Sequence, residues 1–367
     1  MAKGIIFSDL HVHPHRFGAS VDPATGKHSR LYDCLRALDF SLELVKKHDA
    51  KVRIFGGDMF HERGRLRPSV LNPVISHFLE AHNSKRSASF LDIGVVGNHD
   101  MEHRVLGDHA LVPISDGEDV VMLMDHGCEG FDIGGEEWAV GWVSYEPDIA
   151  ALKEKVRAVA AQRRENFPNK RSICIIHHGV DGTMPDIPNA GFGPMDLPTD
   201  TFTYTFCGDY HNHVEIVPGK AWMIGSPLQH NFGDRGQVRG IMVFDFDTGK
   251  YELVEVPGVP KFIAWDDGKT KPGDLKAAYF NGNFVRVRSD DPVKLDEMEK
   301  LAVTAGALSV FKELVKDWKV VTKADLTMSM TTGQMFERWL KEQDIPPDRQ
   351  AAIITMNNSI LEEAGIV

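Results

Sequence analysis

Val52-Arg53-Ile54-Phe55-Gly56-Gly57-Asp58-Met59-Phe60-His61 is the stretch whose reading decides the fold. Its first four residues are a short apolar run stopped by glycines, the mark of a strand covered on both faces. Polar residues follow at once, where loops at the carboxyl ends of such strands carry chemistry. The same grammar recurs four times. Gly4-Ile5-Ile6-Phe7 leads to Asp9 and His11, and Ile93-Gly94-Val95-Val96 to Gly97-Asn98-His99-Asp100. Ile173-Cys174-Ile175-Ile176 leads to His177-His178-Gly179. Phe202-Thr203-Tyr204-Thr205-Phe206 leads to Gly208-Asp209-Tyr210-His211-Asn212-His213. Five strand ends could therefore converge on one site.

The residue types at those ends are carboxylate, amide oxygen and imidazole, with no thiolate. That donor set suits Mn²⁺, Fe²⁺ or Zn²⁺ better than a structural zinc cage. Asp58 is the choice for a carboxylate shared by two ions. Asp9 and His11 are expected on one side, as alternate residues of an extended segment. Asn98 offers a neutral oxygen and His177 an imidazole, while Gly57 and Gly97 allow close backbone approach. Any one of these clusters could arise by chance, and His177-His178 alone could be a core pair. Five in order, each after a strand, argue for function.

Helices fill the gaps. Leu31, Leu35, Leu38, Leu42 and Val45 recur at helical spacing over about 31–48, and Pro68 opens a second helix through His82. Shorter strands over 118–143, with turns at Gly127, Gly130 and Gly134-Gly135, precede a charged helix from Asp148 to about Glu165. Val238–Phe246 and Tyr251–Val256 read as a hairpin. The alternation predicts an α/β layered domain. Pro257-Gly258 and Pro260 mark a boundary, giving domains 1–257, 258–324 and 325–367. The second holds a strand around Phe284–Arg288 and a helix opened by Asp291-Pro292, with Leu295, Met298, Leu301 and Ala302 on one face. The third is a helical pair: Met335, Phe336, Trp339 and Leu340, then Ile353, Met356, Ile360, Leu361 and Ala364 after Pro346-Pro347.

The 367 residues carry a net charge of −12, with 26 basic and 36 acidic residues in 1–257 and 15 and 17 beyond. This acidity argues against a strong non-specific DNA binder acting alone. Bound divalent cations would offset much of it. Cys34, Cys128, Cys174 and Cys207 lack zinc-site spacing. Met1-Ala2-Lys3 leads straight into a strand, so no signal peptide is expected, and no apolar stretch spans a bilayer. The expectation is a soluble, cytoplasmic protein.

The ordered motifs D-x-H, G-G-D, G-N-H-D, H and a terminal D/H-x-H resemble the calcineurin-like metallophosphoesterase superfamily. Gly57-Asp58-Met59-Phe60-His61 is similar to the G-D-x-F-H motif of SbcD-type nucleases, prokaryotic and phage relatives of the nuclease subunit of the eukaryotic MRN complex. Gly225-Ser226-Pro227 with Asn231-Phe232-Gly233-Asp234, and Asn283-Phe284-Val285-Arg286-Val287, resemble later segments of that family; the likeness covers roughly residues 1–310. It implies a metallophosphoesterase β-sandwich flanked by helices, a smaller α+β capping domain and C-terminal helices. It implies two divalent ions, Mn²⁺ first and Mg²⁺, Fe²⁺ or Zn²⁺ as substitutes. Asp9 and His11 would bind one ion, Asp58 would bridge, and Asn98 and His177 would bind the other. His99 would protonate the leaving oxygen, oriented by Asp100, and His61 would position the phosphate or act behind the ligands.

One motif departs from the family's G-H-x-H. Gly208-Asp209-Tyr210-His211 puts Asp where the first His belongs, and His211-Asn212-His213 is the other frame. The first is preferred because Gly208 follows the strand directly; His211 is a ligand in both. Arg63, Arg65 and Arg67 would track a DNA backbone or simply form a solvated loop. Arg286 and Arg288 carry the same ambiguity. The implied function is a two-metal DNA exonuclease, with endonuclease activity admitted, serving DNA repair, recombination or phage DNA processing. DNA and an SbcC-like, SMC-type ATPase would be partners, and a homodimer is compatible with this. The rivals are a phosphoesterase for a small diester or phosphoprotein, and a non-catalytic scaffold.

Overall fold

The computed structural model describes residues 2–24, 26–83, 90–103, 108–115, 119–184, 187–268, 279–315, 336–337, 339–340 and 345–363. Two compact units divide the chain, Met1–Glu313 and Leu314–Val367.

The first unit is an α/β fold of mixed sheets flanked by helices. One sheet has the order β12-β11-β1-β2-β3-β4. Its strands are β1 (Lys3–Phe7), β2 (Val52–Phe55), β3 (Leu91–Val95), β4 (Val120–Leu123), β11 (Ile241–Asp245) and β12 (Tyr251–Val254). The second has the order β5-β6-β7-β8-β10-β9. It is built from β5 (His126–Asp132), β6 (Glu137–Val143), β7 (Ser172–His177), β8 (Tyr204–Gly208), β9 (Val214–Val217) and β10 (Ala221–Met223). β1, β2, β3 and β4 are mutually parallel, as are β6, β7 and β8. Parallel alignment brings their carboxyl ends to one edge.

Side-chain alternation explains the layers. In β2, Val52 and Ile54 join Trp138, Ile173, Ile175, Phe206 and Trp222 in a core between the sheets. Phe55 faces the other way, into a core with Leu31, Leu38 and Val45 of α1 (Ser29–His48) and Val70, Val74 and Phe78 of α2 (Pro68–Asn83). Behind the second sheet, Cys174, Ile176 and Cys207 pack on Leu152, Val156 and Val159 of α3 (Ile149–Asn166), capped by the Asp148 carboxylate. All four cysteines are buried, and burial raises their thiols above the usual range.

A small sheet, β13 (Phe262–Asp266), β14 (Phe284–Ser289) and β15 (Ser309–Leu314), packs on α4 (Pro292–Thr304) through Val285, Val287, Leu295, Met298 and Ala302. Asp291 caps α4 by accepting from Val293 N and Lys294 N. In the second unit, the rings of Phe336 and Trp339 lie 5.8 Å apart and Leu340 is buried. α5 (Pro347–Glu363) follows Pro346. Met335, Ala364 and the side chains of Ile360 and Leu361 lie outside the described residues.

Several local expectations need correcting. Gly127 and Gly130 are not turns; both lie inside β5, where a Cβ on Gly127 would strike the Trp142 ring at 2.5 Å. Leu301 points away from the α4 core and Met356 away from the α5 face expected for it; both are exposed. The fifth site-bearing strand begins at Tyr204, two residues late, because Phe202 turns into the α3 layer. Arg286 and Arg288, left open between two readings, are ion-paired with Glu313.

Arg53 is among the most deeply buried charged side chains of this interior. It is 1% exposed, and its guanidinium forks onto Asp92 at 2.6 and 2.8 Å. Nη1 also reaches Ser41 Oγ (3.0 Å) and His77 Nε2 (2.8 Å), and His82 meets Asp92 at 2.8 Å. Burial alone would raise Asp92; the Arg53 charge and these hydrogen bonds outweigh it and hold the carboxyl below its usual range. Asp92→Ala should cost about 3–5 kcal/mol in urea unfolding, because it strands a buried cation. The pair's contribution is complete above about pH 4 and fades only as pH falls through the depressed value. A loss under about 1 kcal/mol would show that the cation is not stranded.

Candidate metal centre

The five strand-end loops meet, and the backbone that brings them together is bent. Asp9 (φ 52°), His11 (φ 46°), Asp58 (φ 60°) and Asp209 (φ 90°) are all in the left-handed region, which non-glycine residues seldom occupy. The segment Asp9–His11 is therefore not extended, contrary to the alternation argument. Its two side chains share a site because two left-handed kinks turn them there. The kinks are held by continued pairing: Asp9 N donates to Gly57 O (2.9 Å), His11 N to Asp58 O (3.0 Å) and Val12 N to Met59 O (2.7 Å). Gly57 and Gly97 leave room for ligands. A Cβ on either would lie 2.2 Å from His177 Nδ1 or Asp58 Oδ1 respectively.

Asp58 is the centre of the arrangement. Its Oδ2 faces His11 Nε2 at 3.6 Å and its Oδ1 faces His177 Nε2 at 3.4 Å. On one flank, His211 Nε2 lies 3.2 Å from His11 Nε2, with Asp9 completing a group able to hold a cation. On the other, Asp9, Asp58 and His177 form a second such group, and Asn98 Oδ1 is 3.2 Å from His177 Nε2. Separations of this size match ligand atoms about 2.0–2.2 Å from a shared ion.

The imidazoles are preset for that role. His177 Nδ1 donates to Gly56 O at 2.6 Å, which leaves Nε2 for an ion. Burial and the surrounding histidines push His11 well below its usual value, so it stays neutral. Asn98 stands beside Asp58 and His177, where a half rotation of its amide lets it donate to Asp58 at 3.0 and 3.2 Å and accept from Arg63 Nη2 at 2.9 Å. The donor set fits divalent cations.

His99 and His61 stand just outside. Their rings stack at 5.4 Å, and His11, His61 and His99 form a third group of close ligand atoms. His99 Nδ1 is 2.7 Å from His61 O. That carbonyl, not Asp100, orients the His99 ring. Asp100 is instead fully occupied with backbone, accepting from Asp58 N (2.9 Å), Gly97 N (3.0 Å) and Phe60 N (3.1 Å). Burial and the Asp58 charge raise it to about 7 against those donors. Arg63 reaches back to Asn98 O at 2.7 Å, and with Arg65, Arg67, Glu62, Glu102 and His103 lines an open cavity of about 750 Å³.

The ambiguous motif resolves into separate jobs. Asp209 Oδ2 accepts from Gly179 N at 2.8 Å, while its own N donates to both Asp9 oxygens at 3.2 Å. Asp209 is thus behind the site rather than among the close ligand groups. His213 points away: Nδ1 meets Ile224 O and Nε2 meets Tyr251 Oη, each at 3.1 Å. Only His211 of the three joins a cation-holding group. Sequence reasoning missed His230, whose buried ring reaches Asp9 O (3.1 Å) and Ser226 Oγ (3.0 Å). Its position inside the Gly225–Asp234 segment was the available signal.

No protein-family model matches the chain, and no curated protein matches it. Solved structures do. The TT1561 protein of Thermus thermophilus is 12% identical, with a TM-score of 0.42 over 70% of this chain and 99% of that one. A dimetal phosphatase from Danio rerio is 11% identical, with a TM-score of 0.37 over 60% and 85%. The NAD nucleotidase of Haemophilus influenzae is 14% identical, with a TM-score of 0.34 over 58% and 44%. Likenesses of this size do not place the chain in a family.

His177 supplies a test of the centre. Burial pulls it down, but Asp58 and Asp9 win, raising it to about 10. An ion taking Nε2 must then displace a proton. Mn²⁺ affinity at that position should rise by up to about 100-fold from pH 6 to pH 8. Calorimetry in buffers of different ionisation enthalpy should register the released proton. Binding without proton release would remove His177 from the ligand set.

Proposed function

We propose that this chain is a two-metal phosphodiesterase of the calcineurin-like kind, acting on DNA beside an SbcC-like ATPase. The observation that carries the chemistry is Asp58, whose two oxygens face two different histidine nitrogens, at 3.6 and 3.4 Å. A carboxylate so placed would be shared by two cations. When bound, such a pair supplies an activated water and stabilises the attacking and leaving oxygens of an in-line displacement.

The chain's own residues would do the rest. Asp9, His11 and His211 would hold one ion, Asn98 and His177 the other. His99 has Nδ1 tied to His61 O at 2.7 Å, which leaves Nε2 as the nitrogen for proton transfer. In its protonated form it would give that proton to the leaving oxygen. His61 stacks on it and would keep the ring in place. The loop cations Arg63, Arg65 and Arg67 would receive flanking phosphates.

DNA as substrate rests on the motif through His61 and on that basic loop. The net charge of −12 favours a partner that supplies most of the DNA affinity. Manganese is favoured by the mixed oxygen and imidazole donors. The domain division at about residue 258 and near 325 is part of the same proposal, with the small sheet as a cap.

The purified chain should degrade linear duplex DNA and hydrolyse bis-p-nitrophenyl phosphate, both only with Mn²⁺. Diester hydrolysis without DNA degradation, even with the ATPase added, would point to a small substrate; neither activity would sink the proposal. Asp58→Ala should abolish both metal binding and turnover. His99→Ala should keep the metals and lose about 10²–10⁴-fold in rate on DNA. Near-normal rates in that variant would show that another group is the acid.

A further inference from the structure

Behind the first cation-holding group lies a buried ionic cluster that no ligand motif includes. Asp234 and Arg239 are 8% and 5% exposed, and Arg239 Nη2 reaches Asp234 Oδ1 at 3.1 Å. The other oxygen, Oδ2, accepts from His230 N at 2.8 Å. Asp234 Oδ1 also faces His211 Nδ1 at 3.5 Å, and Arg239 Nη2 reaches Asn212 Oδ1 at 2.9 Å. One carboxylate thus grips His211 and, through Arg239, the residue after it.

We infer that Asp234 is the positioning residue of the first metal site, holding His211 with its proton on Nδ1 and its bare Nε2 turned toward His11. The geometry leaves little choice. His211 Nε2 is 3.2 Å from His11 Nε2, so Nδ1 is the atom left to face the carboxylate. A carboxylate on the distal nitrogen fixes tautomer and ring angle and makes the ligating nitrogen more basic. Arg239 Nη2, 3.1 Å from Oδ1, and His230 N, 2.8 Å from Oδ2, fix the carboxylate in that place. The backbone bond to His230 N ties the same carboxylate to the ring that supports Asp9 O. In the second group, His177 turns to Gly56 O, Asn98 and Asp58 rather than to Asp234, so that group serves as the internal control.

This inference rests on reading Asp9, His11 and His211 as a metal centre, and the experiment separates the two. Mn²⁺ titration of the wild-type chain by calorimetry should give two binding events. In Asp234→Asn, one should weaken by about 10–100-fold and the other should stay within about twofold. Wild-type protein that binds no Mn²⁺ overturns the metal reading itself. Two events in the wild type and the same two in Asp234→Asn overturn the role of Asp234 alone. Equal weakening of both, with a lower melting temperature, would mean that Asp234 only holds the fold, and also overturns it. Should the variant fail to fold, Zn²⁺-loaded wild type labelled with ¹⁵N-histidine decides the matter. His211 should carry its proton on Nδ1, and a bare Nδ1 would refute the inference.

Discussion

The Asp100 carboxylate accepts three backbone amides, those of Asp58, Phe60 and Gly97. These amides belong to two loops, one after β2 and one after β3. Parallel strands deliver loop ends to the same edge of a sheet, but pairing stops at the last residue of each strand. Beyond it, the chain needs another source of order. Asp100 provides it for Asp58 and Asn98, and the Asp9–Val12 pairing with Gly57–Met59 provides it for Asp9 and His11. His99 N then closes the arrangement by donating to Asp58 Oδ1 at 2.8 Å. The distances around Asp58 follow from these backbone restraints before any ion is considered.

The restraints have an energetic cost. Left-handed backbone at Asp9, His11, Asp58 and Asp209 is uncommon outside glycine and persists only where neighbours over-determine it. Burying Asp9, Asp58, Asp100, His11 and His177 within a few ångströms is also unfavourable without countercharge. Burial lifts Asp9 to about 6 and Asp100 to about 7. At Asp58 burial is outweighed, chiefly by His177, and the carboxyl stays low. A site whose Asp9 and Asp100 are lifted by burial and whose His11 is held neutral is one that divalent cations stabilise. The sandwich behind it, with its two large cores, is the part of the chain that offsets the strain.

Much of this was legible in the sequence because strands and ligands follow local rules. Each apolar run bounded by glycine became a buried strand, and the helices at 29–48, 68–83 and 149–166 fell where spacing and caps put them. What escaped depends on three-dimensional neighbours. Asp9 and His11 share a site through left-handed turns, which no period of two can reveal. Asp100 sits beside His99 in sequence yet serves the backbone. Asp209 and His213 could not be separated by spacing, because the choice between them is made by Gly179 N, Tyr251 and Ile224, all distant in the chain. His230 and Asp234 were visible only as part of a segment, since nothing local says which ring or carboxylate turns inward.

Arg30 is one of the side chains that tie the small sheet to the metal centre. Arg30 is 3% exposed and lies over the rings of Phe262 and Phe284, at 5.2 and 5.1 Å, from β13 and β14. Its Nη2 donates to His230 O at 3.2 Å. The His230 ring touches Asp9 O and lies 5.2–5.3 Å from His211 and His11. Phe17, in the loop that leaves His11 and His15, stacks on Phe311 of β15 at 3.9 Å. A guanidinium held between two aromatic faces resists sliding more than an aliphatic contact does, because it loses cation–π attraction as well as area. The aromatic faces that anchor this sheet are thereby joined, through Arg30 and the His230 ring, to the backbone of Asp9.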